Sequence, residues 1–67
     1  SMKMYTCVKP FKTAFFTDKS TERIEIKEDT DWFLARKESD DRVVLYNNEI
    51  ELVVGKGILK EYFRQWG

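Results

Sequence analysis

Apolar and polar side chains alternate along much of this chain, which is the pattern of strands with one buried face. In residues 22–27, Ile24 and Ile26 lie on one face and charged side chains on the other. In residues 50–54 the apolar positions again recur at every second residue. Both segments are therefore predicted to be half-buried strands.

Three further runs of β-forming residues predict strands at 4–8, 32–35 and 42–46. The last run is apolar on both faces, which predicts a central place in the sheet. Residues 9–21 are predicted to form a long loop with β-like arms, because Pro10 precedes the extended residues 11–16 and polar turn formers follow them at 17–21. Polar turns are predicted at 28–31, 37–41 and 47–49.

Near the end of the chain, the spacing of apolar residues changes from every second residue to the spacing of a helix face. Residues 58–66 carry apolar side chains at helical spacing, which predicts a short C-terminal helix with one apolar face. Such a helix is too short to be stable alone, so this face must rest on the sheet or on another copy of the protein. Its apolar residues are Ile58, Leu59, Tyr62, Phe63 and Trp66.

Five short strands joined by tight polar turns predict a mainly β fold. We expect a small five-stranded antiparallel SH3-like barrel or curled sheet with a C-terminal helix, and the alternative is a flat sheet backed by that helix. Residues 2–67 are predicted to form a single domain. Ser1 resembles a cloning remnant ahead of Met2.

The residue inventory bears on catalysis and on metal binding. The chain has 67 residues, no histidine and one cysteine, Cys7. An intramolecular disulfide, a Cys/His zinc site and a Ser-His or Cys-His catalytic pair therefore cannot form. We predict that Cys7 packs as a small hydrophobic residue, and that the protein is not an enzyme and uses no metal or cofactor.

Charge is balanced overall and uneven along the chain. Twelve basic residues match twelve acidic ones, so no global field favours nucleic acid. Residues 21–55 hold ten acidic and five basic side chains, whereas both ends are basic. No stretch has the length of a membrane span or the features of a signal peptide, and we expect a cytoplasmic protein.

Aromatic residues point to a binding role. Ten aromatic side chains in 67 residues are hard to bury in so small a core, and clusters left at the surface mark interfaces. We therefore predict a protein-binding module that also self-associates through the helix or an edge strand. The predicted partner-binding aromatic residues are Phe11, Phe15, Phe16 and Trp32, and those predicted for self-association are Tyr62, Phe63 and Trp66.

Two other functions compete with protein binding. In the first, Phe11, Phe15 and Phe16 combine with Lys9, Lys12 and Lys19 to form an aromatic and basic platform for nucleic acid. In the second, a small molecule or nucleotide is held between subunits, which thermal stabilisation by the ligand would reveal.

Residues 24–32 (IEIKEDTDW) and 57–63 (GILKEYF) resemble small SH3-like-barrel accessory proteins of phages and mobile elements of Gram-positive bacteria. The likeness covers residues 22–66. Glycine commonly precedes the aspartate of the family's turn, where this chain has Glu28 or Thr30. The resemblance implies a protein that inhibits a host defence or regulatory protein. In that setting Glu25, Glu49 and Glu51 of the acidic segment are predicted to imitate nucleic-acid charge.

Overall fold

The computed structural model describes residues 2–16, 19–47 and 50–66, with the backbone alone at Phe16. Within these residues the chain forms seven strands and one helix. In order they are β1 (Met4–Cys7), β2 (Phe11–Phe16), β3 (Thr21–Ile26), β4 (Asp31–Ser39), β5 (Arg42–Asn47), β6 (Ile50–Gly55), α1 (Lys56–Tyr62) and β7 (Phe63–Trp66).

The strands form two antiparallel sheets. One has five strands in the order β6-β5-β4-β1-β7, and the other is the β2-β3 hairpin. The predicted mainly β, antiparallel class with a C-terminal helix is therefore confirmed. Residues 11–16 of the segment predicted as a long loop form a regular strand, since Phe11 pairs with Ile26 of β3 and Phe15 with Glu22.

The core lies between one face of the five-stranded sheet and the hairpin. β1, β4, β5, β6 and β7 all contribute to it, and the hairpin adds Ile26, which is 2% exposed. Cys7 is fully buried, so the prediction that it packs as a small hydrophobic residue is confirmed. The buried cluster consists of Tyr5, Cys7, Ile26, Trp32, Leu45, Leu52, Val54 and Phe63.

The C-terminal helix is displaced from its predicted bounds. It spans Lys56–Tyr62 instead of 58–66, and the last part of the predicted helix is β7. Phe63 is already extended, at φ −130 and ψ 155. Hydrogen bonding explains the difference, because the edge of β1 gives residues 63–66 a strand partner, and the Val8 N–H donates to the Tyr62 carbonyl at 2.8 Å.

The structure also corrects the predicted turn at 37–41. β4 continues to Ser39 because its residues pair with β5, with register shifts between Leu34 and Arg36 and between Lys37 and Ser39. The shifts leave Ala35 and Glu38 as additional residues in β4, in the manner of β-bulges. The chain therefore turns at Asp40 and Asp41 alone.

The helix requires the five-stranded sheet to curl. α1 connects β6 to β7, which are the two edges of this sheet. A helix of seven residues rises about 10 Å, whereas the edges of a flat five-stranded sheet lie roughly 19 Å apart. Among the described residues the strands do not close into a barrel, so the SH3-like barrel itself stays a prediction.

Candidate functional site

The five-stranded sheet has a second face, opposite to the core, which we call the outer face. Cross-strand pairing aligns one side chain from each of four strands on it. Met4 of β1 is directly opposite Trp66 of β7 and Phe33 of β4, and Phe33 is opposite Tyr46 of β5. We call these four residues the aromatic row.

The aromatic row combines contact between its members with access to solvent. The rings of Phe33 and Tyr46 are 5.1 Å apart between centroids, at an interplanar angle of 57°. Both residues are half-buried, as is Met4, while Trp66 is 46% exposed. Side chains directly opposite each other on adjacent strands are close enough to touch, so the row is a continuous apolar strip.

Two hydrogen bonds fix the tryptophan of this row. The Trp66 indole N–H donates to the Thr6 hydroxyl at 2.6 Å, and that hydroxyl donates to the Asp31 carboxylate, also at 2.6 Å. Thr6 and Asp31 are opposite each other on β1 and β4. The indole is therefore held against the sheet while nearly half of it stays exposed.

Replacing the central hydroxyl tests this arrangement. Thr6→Val removes both hydrogen bonds and keeps the side-chain shape, so we expect faster hydrogen exchange at the Trp66 indole N–H and a stability loss below about 1.5 kcal/mol. The Trp32 indole N–H is an internal control, because it donates to the Thr30 hydroxyl at 3.0 Å. Exchange measured by NMR should increase more at Trp66 than at Trp32, and equal change at both indoles would contradict the arrangement.

An ion pair lies at the β6 end of the outer face. Arg36 donates to both carboxylate oxygens of Glu51, at 2.9 and 3.3 Å. These hydrogen bonds and the guanidinium charge lower the pKa of Glu51. Arg36 lies on β4 and Glu51 on β6, so the pair crosses β5, where Val44 is fully buried outside the core cluster.

The charges around the aromatic row balance. Glu51 is opposite Tyr46 and is paired with Arg36, while Asp31 and Arg64 lie on either side of Thr6. The row is thus bordered by two cations and two anions. A neutral border with an apolar centre is typical of protein-binding surfaces and gives phosphate groups little attraction.

Two of the predicted contact residues lie in the interior. Trp32 is 4% exposed and Phe63 is 5% exposed, and both belong to the core cluster. The predictions that Trp32 contacts a partner and that Phe63 mediates self-association are therefore wrong. Residues directly opposite each other on neighbouring strands point to the same face of the sheet. Trp32 is opposite Tyr5 and Phe63 is opposite Cys7, and both of these β1 residues face the core.

The other predicted aromatic residues are spread over the molecule. Phe11 packs on Tyr62 and Phe63, with ring centroids 4.7 and 5.8 Å apart, and Tyr62 is itself half-buried. Phe15 is half-buried beside β6, in a groove of about 470 Å³ with Leu52 and Val53. The side chain of Phe16 lies outside the described residues. Of the predicted contact residues, Trp66 alone belongs to the aromatic row.

The predicted nucleic-acid platform is not assembled around Phe11. The Lys9 ammonium pairs with Glu61 at 3.0 Å and lies 4.8 Å from the centre of the Tyr62 ring. The hydrogen bond from Lys9 to Glu61 raises the pKa of this ammonium. Lys12 and Lys19 are exposed. Because Phe11 packs on Tyr62 and Phe63 and Lys9 is paired, these two residues do not combine into a surface on which bases can stack.

The predicted acidic mimic is divided between two sheets. Glu25 is exposed on β3, whereas Glu51 lies on β6 and is neutralised by Arg36. Glu49 lies outside the described residues. The two glutamates therefore do not form one acidic surface on the described part of the chain.

Grooves and acidic residues on the described part of the chain bear on ligand and metal binding. A groove of about 220 Å³ between β3 and the β5–β6 end is lined by Ile24, Trp32 and Ile50 among others, which is below the usual size of a ligand pocket, whereas the groove of about 470 Å³ beside Phe15 lies within that range. Among residues 2–16, 19–47 and 50–66, no cluster of three or more acidic or cysteine side chains is placed to hold a metal ion. The one helix in these ranges has seven residues, too few to span a membrane.

Sequence reasoning missed Met4, Phe33 and Tyr46. A partial signal existed, since each lies in a segment predicted to be a strand, but their alignment depends on the register between strands distant in sequence. Comparison of the chain with protein families, with curated proteins and with solved structures found no match in any of the three.

Proposed function

We propose that this protein is a non-enzymatic binding module that recognises another protein through the aromatic row on its outer face. The observation that carries the proposal is the alignment of Trp66, Met4, Phe33 and Tyr46 across four strands, bordered by balanced charge. Aromatic residues and methionine are enriched at protein interfaces. A tryptophan held in place by hydrogen bonds loses little side-chain entropy on binding, which favours affinity.

The resemblance to phage and mobile-element accessory proteins extends this proposal to the partner. In that reading the partner is a host defence or regulatory protein, and binding inhibits it in the host cytoplasm.

The SH3-like barrel belongs to the same proposal. Its support is the curl of the five-stranded sheet, which the length of α1 requires.

Removing two central rings of the row tests the proposal. We expect Phe33→Thr combined with Tyr46→Thr to weaken partner binding by at least about 30-fold, because interface hot spots contribute about 2 kcal/mol or more. Threonine keeps β propensity at both positions. The measurement is capture from lysate of a Gram-positive bacterium, followed by titration of the purified partner with wild type and variant.

The control changes a different surface. Lys12→Glu alters an exposed residue of the hairpin, so it should leave capture unchanged. Equal binding by wild type and by the Phe33/Tyr46 variant would refute the role of the outer face. Oligonucleotides titrated at two salt concentrations address the nucleic-acid alternative, which predicts binding that weakens steeply with salt.

A further inference from the structure

β7 is an edge strand with one paired side. The register places β1 on that side, and no described strand pairs with the other. Hydrogen bonds show how β1 is oriented. The Cys7 N–H and carbonyl bond to Thr30 and Asp29 before β4, whereas the Val8 N–H donates to the Tyr62 carbonyl. Backbone groups at odd positions of β1 therefore face β4, and those at even positions face β7.

The same alternation identifies the free groups of β7. Arg64 is opposite Thr6, so its backbone groups point to β1, and those of Phe63 and Gln65 point away from the sheet. The Phe63 N–H is already used, because it donates to the Leu59 carbonyl at the end of α1. Among the described residues no group bonds to the Gln65 N–H or carbonyl, so Gln65 is the position in β7 at which both backbone groups can pair with a further strand.

We propose that β7 pairs with β7 of a second copy of this chain, antiparallel and related by a two-fold axis at Gln65. In this register the two Gln65 residues exchange both of their N–H to carbonyl hydrogen bonds, as in a hydrogen-bonded antiparallel pair. A register centred on Arg64 fails because its backbone groups face β1, and one centred on Phe63 fails because its N–H is bonded within α1.

The side chains match in the same register. Pairing at Gln65 sets Arg64 of each copy directly opposite Trp66 of the other, on the outer face. Both residues are exposed, and Arg64 forms no ion pair within the described ranges. A guanidinium over an indole is the favoured cation–π arrangement, and the two-fold axis forms it twice. This complementarity favours a second copy over an unrelated strand as the occupant of the edge.

The dimer adds to the proposed function without depending on it. Joining the two five-stranded sheets at β7 brings the two outer faces side by side, so that one aromatic row from each copy lies in one continuous sheet surface. In this register three residues of each β7 strand, at positions 64 to 66, lie opposite one another, and so small a contact predicts a weak dimer.

Sedimentation equilibrium tests the proposed β7–β7 dimer. Protein concentrations up to about 1 mM are needed because the interface is small and weak. We expect wild type to approach twice its monomer mass of 8.0 kDa. Gln65→Pro removes the N–H that the dimer requires and none that β1 uses, so it should raise the dimer Kd by at least about tenfold. Arg64→Glu should also raise it, and Arg42→Glu, an exposed arginine away from β7, should not.

Circular dichroism shows whether each variant is folded. Hydrogen exchange of the Gln65 backbone N–H in wild type is a second test that needs no mutation. Protection of this amide should rise with protein concentration. A wild type that stays monomeric, or a dimer that is unaffected by both Gln65→Pro and Arg64→Glu, would overturn the proposal. The Phe33/Tyr46 variant should still dimerise, so failure of the dimer and failure of partner binding are separate results.

Discussion

Leu45→Ala is expected to remove a large share of the protein's free energy of unfolding. Leu45 is fully buried on β5, the strand between β4 and β6, and belongs to the core cluster. Truncating a buried leucine costs about 2–5 kcal/mol, because the removed carbons leave a cavity. A domain of 67 residues has a total stability of roughly 3–10 kcal/mol. The loss is therefore a large share of the whole, and urea unfolding monitored by circular dichroism measures it.

Ile58→Ala is the matched control for this experiment. It removes the same number of carbon atoms from a side chain that is 38% exposed on α1. Alanine is also a better helix former than isoleucine, so we expect a change within about 0.5 kcal/mol. Equal destabilisation by the two substitutions would show that the core does not lie between the sheet and the hairpin.

Cys7 is expected to react with a thiol reagent only when the protein unfolds. Its side chain is fully buried and its S–H donates to the Lys9 carbonyl at 3.1 Å. Burial is the main reason that its pKa is raised, which further reduces the reactive thiolate. If Cys7 becomes accessible only when the whole protein unfolds, it is labelled more slowly than a free thiol. The factor equals the ratio of folded to unfolded protein, roughly 10² to 10⁷ for the stability above. The measurement is labelling rate against urea concentration.

An added exposed thiol provides the comparison within one molecule. Ser39 is exposed at the end of β4, so Ser39→Cys should react at the rate of a free thiol while Cys7 stays protected. The urea dependence of Cys7 labelling should match that of unfolding by circular dichroism. Fast labelling of Cys7 without urea would mean that the β1 region opens locally.

The fold class was predictable where polar and apolar residues alternate strictly. Residues 22–27 show this pattern, and β3 lies almost where it was predicted, with Ile26 in the core. Residues 58–66 illustrate the limit. The helical spacing of their apolar side chains is real, but Phe63 and Trp66 are also good strand formers, and hydrogen bonds from β1 decide in favour of a strand.

The candidate site was less predictable for a physical reason. Trp32, Phe33 and Leu34 are consecutive and all apolar, so alternation does not tell which of them faces the core. The pairing of Tyr5 with Trp32 decides it and leaves Phe33 on the outer face. The pairing of β1 with β7 places Met4 beside Trp66, a juxtaposition that no local pattern contains.

The adjacency of β1 and β7 has a consequence for synthesis in the cell. Residues that touch across these strands, such as Thr6 and Trp66, are separated by 60 positions in the chain. Closing so long a loop is slow compared with local contacts. Until residue 66 has emerged from the ribosome, β1 has an unprotected border, and nascent chains that stop short of it would be exposed to proteases and to aggregation.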